Sequence, residues 1–259
     1  MINNDFCFPQ VTLLITHFNR SRSLQNLLLS FKELGCEFGG IVVSDDCSDT
    51  LHVEQIRKLQ ESYPLTLVTS EKNCGLGHNI NKGQDRVETP YTLYVQEDFT
   101  PLENFPAKLK KSLALMEENE GLDIVRYWSY FPYPYLRNER DGFYEMYIKP
   151  FARDYHKIYC YGDTPHLRRT TFLTKFGRYQ EGISGDRTEY KMCISFIQNK
   201  GKGLFFKDCR SLFLHENTEE EPSTMHRVSW KQSSSFPIRI ARSVYRQVKY
   251  NLDIHFKFG

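Results

Sequence analysis

The chain reads as an α/β protein: a mostly parallel sheet flanked by helices, followed by a helical tail. Two observations predict this. A unit of apolar strand, polar loop and amphipathic helix repeats between Val11 and Val95, the pattern of parallel strands joined by crossover helices. The first strand is a near-continuous apolar run with no alternation, as expected of a strand covered on both faces.

Taken in order, the first strand is Val11–Thr16, running into His17-Phe18-Asn19-Arg20. A helix is expected from Ser21, a candidate N-cap, with Leu24, Leu27, Leu28 and Phe31 on one face. The second strand, Ile41–Ser44, opens onto Asp45, Asp46, Cys47, Ser48 and Asp49, before a helical pattern at Val53, Ile56 and Leu59. The third, Leu65–Val68, leads to Asn73-Cys74-Gly75-Leu76-Gly77 and a helix holding Asn79, Asn81 and Gly83. The fourth, Tyr91–Val95, runs into Gln96-Glu97-Asp98. In open α/β sheets ligands sit beyond the carboxyl ends of the strands, where these four polar loops would gather. Carboxylates there suit Mg²⁺ or Mn²⁺ held against substrate phosphates. The plainer alternatives are a solvated acidic turn at 96–98 and Asx-turns capping the next helix at Asp45, Asp46 and Asp49.

Thr-His-Phe-Asn-Arg after strand one, Val-Ser-Asp-Asp-Cys-Ser-Asp at strand two, Asn-Cys-Gly-Leu-Gly and then an acidic tip together resemble the nucleotide-sugar half of GT-A glycosyltransferases of the inverting family 2. The resemblance covers residues 10–105 most strongly. It implies a Rossmann-like nucleotide-binding sheet in which Thr16, His17, Arg20, Asp46, Asn73 and Gly75 hold the nucleotide, with the Asp46 carboxylate accepting a hydrogen bond from the base. Asp45 is expected to order its loop. Asp98 falls on the last, metal-contacting place of the family's acidic motif, and His215, after the apolar run Ser211–Leu214, on an additional metal ligand. The implied cofactor is a divalent cation, Mn²⁺ or Mg²⁺. Gln96 departs from the family by replacing the motif's first carboxylate, which lowers the site's negative charge and makes metal binding more dependent on the donor's diphosphate.

Such an enzyme needs a base for the acceptor hydroxyl, and an inverting displacement needs one. The family's acidic motif at the head of a helix maps onto Gly177–Tyr190, with Asp186 as the base or, in the other register, Glu189. A capping box between Asp186 and Glu189 would explain the same spacing without chemistry. Gln96, Glu97, Asp163, His166 and Trp128 are the residues expected to meet the sugar and the acceptor; a loop former at Asp163 and a buried His166 are the bland readings. The aromatic run from Tyr127 to Phe151 suits stacking on sugar rings, with core packing claiming part of it.

From Ile238 the tail carries apolar residues at Ile238, Ala241, Tyr245, Val248 and Leu252, and residues 236–259 hold five Lys/Arg against one Asp, +4 in a chain whose total is +2. A basic amphipathic helix of this kind suits an anionic membrane surface; the alternative is a helix packed on the catalytic domain. Glu219-Glu220-Glu221 reads as an acidic loop and Ser233–Ser235 as a linker. The expected organisation is a catalytic domain over 1–232, divided into a donor half (10–105) and an acceptor half (106–232), and the helix over 233–259.

Charged residues make up 25% and mean hydropathy is −0.54, which describes a globular chain and not a disordered one. No apolar run reaches the ~20 residues of a bilayer span, and the first five residues lack the basic start of a signal peptide. Seven cysteines, an odd number without a Cys-x-x-Cys pair, point to reduced thiols in a cytoplasm and away from a zinc site, and the basic tail helix adds a peripheral position on the inner face of the cell membrane. The resemblance implies transfer of a sugar from a UDP-sugar or similar donor to a glycan or lipid-linked acceptor in capsule, O-antigen or lipopolysaccharide synthesis. No nucleic-acid partner is expected. The alternatives are a non-catalytic sugar-nucleotide or glycan-binding module and a nucleotidyltransferase; the latter should carry a Gly-rich basic loop where this chain has His-Phe-Asn-Arg.

Overall fold

A computed structural model describes residues 6–149, 151–152, 154–215, 221 and 236–256, with side chains of the last segment from 240 onward. Among the described residues nine strands form the main sheet, side by side in the order Leu65–Thr69, Cys36–Asp45, Phe6–His17, Tyr91–Gln96, His166–Arg169, Ile124–Arg126, Gly203–Phe206, Phe143–Met146 and Leu136–Arg140. Its parallel half is β1 (Phe6–His17), β2 (Cys36–Asp45), β3 (Leu65–Thr69) and β4 (Tyr91–Gln96), connected by α1 (Ser21–Glu33), α2 (Thr50–Leu59) and α3 (Leu76–Gln84). The strands outrun the apolar segments that predict them: β1 begins five residues before Val11, with a register shift between Phe8 and Thr12. The apolar faces then explain the packing. Leu24, Leu27, Leu28 and Phe31 of α1 are buried against the sheet, each contributing roughly 1.5–3 kcal/mol.

Beyond β4 come β5 (Phe99–Pro101), α4 (Phe105–Glu118), β6 (Ile124–Arg126), β7 (Leu136–Arg140), β8 (Phe143–Met146) and a 3-10 helix (Tyr155–Cys160). Then follow β9 (His166–Arg169), α5 (Phe172–Phe176), α6 (Gly185–Gln198), β10 (Gly203–Phe206), β11 (Phe213–His215) and α7 (Phe236–His255). β9 runs antiparallel between β4 and β6 and joins the two halves of the sheet. β11 and β5 form a separate two-stranded ladder that pairs His215 with Phe99.

Three local expectations are corrected. Ser21 is the first helical residue of α1, the N-cap position falls on Arg20, and neither supplies a side-chain cap. The free N–H groups of Arg22 and Ser23 donate instead to the Glu221 carboxylate, at 3.0 and 2.9 Å. Glu221 is accordingly buried rather than part of a solvated acidic loop; residues 219, 220 and 233–235, and the 232/233 boundary, lie outside the described residues. No capping box forms at α6: its N-cap is Ser184, and Glu189 takes up the Asp163 N–H.

The tail helix packs on the domain through a mixed face: Ile254 is buried in the core, Tyr250 meets Tyr190 with 5.1 Å between ring centroids, and polar residues add hydrogen bonds. Lys157 Nζ donates to Asn251 Oδ1 (2.5 Å), Gln198 Nε2 to the Asp253 carbonyl (2.7 Å) and Gln247 Nε2 to the Ala152 carbonyl (2.5 Å). Its apolar ridge, Ile240, Val244, Val248, Leu252 and Phe256, faces outward. Among the described residues no helix is long and apolar enough to cross a membrane.

Candidate active site

Register brings the polar strand tips together. Along β1, His17 lies opposite Asp45 of β2 and Thr16 opposite Gln96 of β4. His17 is the keystone. Its Nε2 accepts the Arg20 N–H at 3.2 Å, which leaves the ring proton on Nδ1 to be donated to Asp45 Oδ1 at 2.7 Å. Ser48 adds its own N–H (3.0 Å) and hydroxyl (2.5 Å) to Asp45. Burial raises the Asp45 pKa, but these hydrogen bonds outweigh it and hold the group below the ordinary value. Asp45 therefore orders the loop.

Asp46 reaches the third loop. Its carboxylate accepts the N–H of Cys74 at 3.0 Å and of Gly75 at 2.7 Å, while its own N–H donates to the His17 carbonyl. The exposed Asn73 supports the same turn, its Oδ1 accepting from Gly75 N–H at 3.2 Å. Thr16 Oγ1 shares a buried hydrogen bond of 3.0 Å with Tyr94 OH, and Gln96 Nε2 reaches the same hydroxyl at 3.5 Å. Lys82 of α3, whose pKa burial lowers, donates to the Asp45 carbonyl from beneath. In this arrangement the side chains of Thr16, His17 and Asp46 fasten the loops to one another.

Asp98 sits where two elements meet it. Arg20, buried at the head of α1, places Nη1 2.8 Å from Asp98 Oδ2, and the β5–β11 ladder brings His215 Nε2 to 3.2 Å from the same oxygen. The other oxygen, Oδ1, is buried without a hydrogen-bond partner. Burial raises the Asp98 pKa, yet His215 and Arg20 outweigh it and keep the carboxyl below its ordinary value. Glu97 behaves oppositely: burial, reinforced by the Asp98 charge, pushes it up to about 8, although Arg20 Nη1 stands 3.9 Å away. The two neighbouring acids at the tip of β4 are thus shifted in opposite directions, with Asp98 the more readily ionised.

A hard cation fits this donor set. An orphaned carboxylate oxygen beside an imidazole offers two protein ligands, and Mg²⁺ or Mn²⁺ sites are commonly completed by water and substrate phosphate. Among the described residues no group of three or more His, Cys, Asp or Glu is arranged to hold a metal without such help.

On the acceptor side the expected residues part company. Trp128 is buried, edge-on to Phe99 (5.0 Å between centroids) and beside His215 (5.4 Å), so it supports the wall that positions His215. His166 is fully buried in β9 between Tyr94 and Tyr161; its Nδ1 is 2.7 Å from the Thr164 carbonyl, and burial lowers its pKa well below the usual range. Asp186, in the first turn of α6, is exposed. Glu189, one turn further, meets Asp163 from the loop before β9, accepting its N–H at 3.4 Å. Burial and mutual proximity raise the Asp163 pKa well above the ordinary carboxyl range; burial raises that of Glu189 as well.

Sequence reasoning passes over Arg126, Tyr94 and Glu221. Arg126 leaves a faint trace, a charged residue closing the short apolar strand Ile124–Arg126; its guanidinium reaches the carbonyls of Tyr159 and Trp128 and the Thr164 hydroxyl. The acceptor half is tied to the donor half at Gly77, where a Cβ would overlap the Gln180 carbonyl.

Known proteins resemble this chain in sequence and in fold. A protein of Haemophilus influenzae described as an uncharacterized glycosyltransferase is 24% identical over 116 residues, covering 44% of this chain and 37% of that protein; the chain thus spans little more than a third of that relative's length. Staphylococcus aureus TarS 1–349 in complex with UDP-GlcNAc superposes with a TM-score of 0.62 at 16% identity, over 95% of this chain and 70% of that one. The mannosyltransferase PcManGT of Pyrobaculum calidifontis, in complex with GDP-Man and Mn²⁺, does so with a TM-score of 0.52 at 15% identity, over 80% of this chain and 59% of that one. These likenesses establish the GT-A fold. The family model for glycosyl transferase family 2 matches residues 12–178, a stretch that contains every interlocked loop of the donor half, and the chain belongs to that family of transferases.

Proposed function

We propose that this protein transfers a sugar, with inversion, from a nucleotide-diphosphate donor to a glycan or lipid-linked acceptor in the synthesis of a surface polysaccharide. The observation that carries the reading is Asp98: an ionised carboxylate at the sheet's carboxyl edge, with one buried oxygen unpartnered and the other between Arg20 and His215. Those features suit a divalent cation held against a leaving diphosphate, the group on which charge develops in the transition state. Asp98 and His215 would hold a divalent cation, which when bound supplies Lewis-acid stabilisation of the diphosphate. The loops of Thr16–Arg20, Asp46 and Asn73–Gly75 line the same edge and would cradle the nucleotide. UDP- and GDP-sugars are the donors to test, since structural neighbours bind UDP-GlcNAc and GDP-Man.

Of the two registers for the base, Glu189 is favoured. It sits under cover beside Asp163 and Arg126, whereas Asp186 is exposed. In the displacement the acceptor O–H bond breaks, its proton passes to Glu189, its electron pair forms the bond to the anomeric carbon, and the bond to the diphosphate oxygen breaks with its pair.

The outward apolar ridge of α7 and the Lys/Arg excess of residues 236–259 support docking on an anionic membrane. A lipid-linked acceptor would be met there, and a peripheral location on the inner face of the cell membrane follows.

The test is a thermal-shift screen of UDP- and GDP-sugars with Mn²⁺, followed by nucleoside-diphosphate release. Asp98→Ala should abolish both the donor-induced shift and turnover; Glu189→Gln should abolish turnover with the shift retained. Loss of the shift in both variants would overturn the division of roles, and wild-type turnover in Asp98→Ala would overturn the reading itself.

A further inference from the structure

Asp163 and Glu189 come from different elements and meet over Gly162. Asp163 lies in the loop between the 3-10 helix and β9, Glu189 in the second turn of α6. A Cβ on Gly162 would come within 2.5 Å of Arg126 Nη2 and 3.3 Å of Glu189 Oε1, so glycine is what lets the loop pass between the guanidinium and the carboxyl group. The Asp163 N–H points at Glu189 Oε1 from 3.4 Å, which sets the side chain of Asp163 beside that of Glu189, and each carboxyl shifts the pKa of the other. Two carboxylates can share a hydrogen bond only if one carries a proton.

We propose, on the reading that Glu189 is the base, that Asp163 is its positioning residue: a neutral carboxylic acid that donates a hydrogen bond to the Glu189 carboxylate and holds it toward the acceptor hydroxyl. The single negative charge of the pair then rests on Glu189, the group that must accept a proton. Arg126 is the cation that faces both from β6. The other groups around them are Tyr94, Tyr159, Tyr161, Tyr179 and Cys193, all held neutral by burial, and Asp186 on the outer turn of α6. With mostly neutral neighbours and one guanidinium, the pair is well suited to keep one proton across the neutral range. Tyr94 links the pair to the donor side, since its hydroxyl is bonded to Thr16 and lies in the field of Asp163.

The same geometry sets a pH profile. Activity falls on the acid side as Glu189 takes a second proton, and falls on the alkaline side as Asp163 loses its own, because two adjacent carboxylates repel and the hydrogen bond is lost. An asparagine keeps a donor at this place and cannot ionise.

The experiment measures UDP release from UDP-GlcNAc, or from whichever UDP- or GDP-sugar gives the largest thermal shift with Mn²⁺, across pH 5–10 for wild type, Asp163→Ala, Asp163→Asn and Glu189→Gln. Glu189→Gln should lose about 100-fold or more in kcat, the lower end of general-base effects. Asp163→Ala should lose roughly 10-fold or more in kcat with donor KM little changed, and Asp163→Asn should recover most of that loss while its alkaline limb disappears. Asp163→Asn as inactive as Asp163→Ala, or an alkaline limb persisting in Asp163→Asn, would overturn the positioning role. A fully active Glu189→Gln would instead overturn the base assignment, which separates the two failures. Should Asp163→Ala fail to fold, the pH profile of Asp163→Asn decides alone.

Discussion

Arg20 and Asp98 are 78 residues apart in sequence, yet the guanidinium at the head of α1 lies 2.8 Å from the carboxylate at the end of β4. The contact spans the edge of the sheet where the donor loops converge. Arg20 also donates to the Glu221 carbonyl and, through its own N–H, to His17, so a single residue couples the β1 loop, the acidic tip and the segment beyond His215.

Removing Arg20 leaves Asp98 buried beside Glu97 without its guanidinium. Arg20→Ala should lose about 3 kcal/mol of stability, the order expected when one partner of a buried ion pair is deleted. Mn²⁺ should restore part of the lost Tm and raise that of the wild type less, a comparison read directly from thermal melts with and without the ion.

Asp45 has a depressed pKa in the folded state, so its contribution is present above the unfolded value of 3.8 and is lost as pH falls through the folded value. Asp45→Asn should therefore be destabilised by about 2 kcal/mol at pH 7, the scale of a charge-assisted hydrogen bond. In urea denaturation at pH 7, 5 and 3 the deficit should shrink only below about pH 4; a deficit constant down to pH 3 would contradict the His17–Asp45 account.

Glu221 performs for α1 what an N-cap side chain usually does, and it does so from roughly two hundred residues away in the chain. Glu221→Ala should cost about 1–2 kcal/mol, and hydrogen exchange should quicken at Arg22 and Ser23 ahead of the rest of α1. Equal protection in both proteins would show that the cap is dispensable.

Val248 and Leu252 stand on the outward ridge of α7, away from the contacts that fasten the helix to the domain. Val248→Asp with Leu252→Asp should abolish sedimentation with vesicles containing anionic lipid, while the melting temperature and the turnover of a water-soluble acceptor stay within error. Retained vesicle binding would remove α7 from the membrane reading.

How much of this was legible follows from what each signal depends on. The four parallel strands and their helices are local patterns: apolar runs for β1, β2, β3 and β4, and the 3.6-residue spacing of Leu24, Leu27, Leu28 and Phe31. The amphipathic tail was equally visible, and its position was not. Periodicity says that a helix has two faces without saying which one meets the protein, and here Tyr250 and Ile254 go inward together with Gln247 and Asn251, while the ridge from Ile240 to Phe256 stays exposed.

The sequence by itself determined the repeating strand-loop-helix order, the family, and the placement of acids at the tips of β2 and β4, because those depend on residues close together in the chain. Only the tertiary structure decided what each acid does. Asp45 and Asp46 are occupied with His17, Cys74 and Gly75; Asp98 is shared between Arg20 and His215; Glu189 faces Asp163 and not Asp186. A carboxylate's charge, pKa and free oxygen are set by the groups that burial and register bring within about 3 Å, and no spacing along the chain encodes those partners.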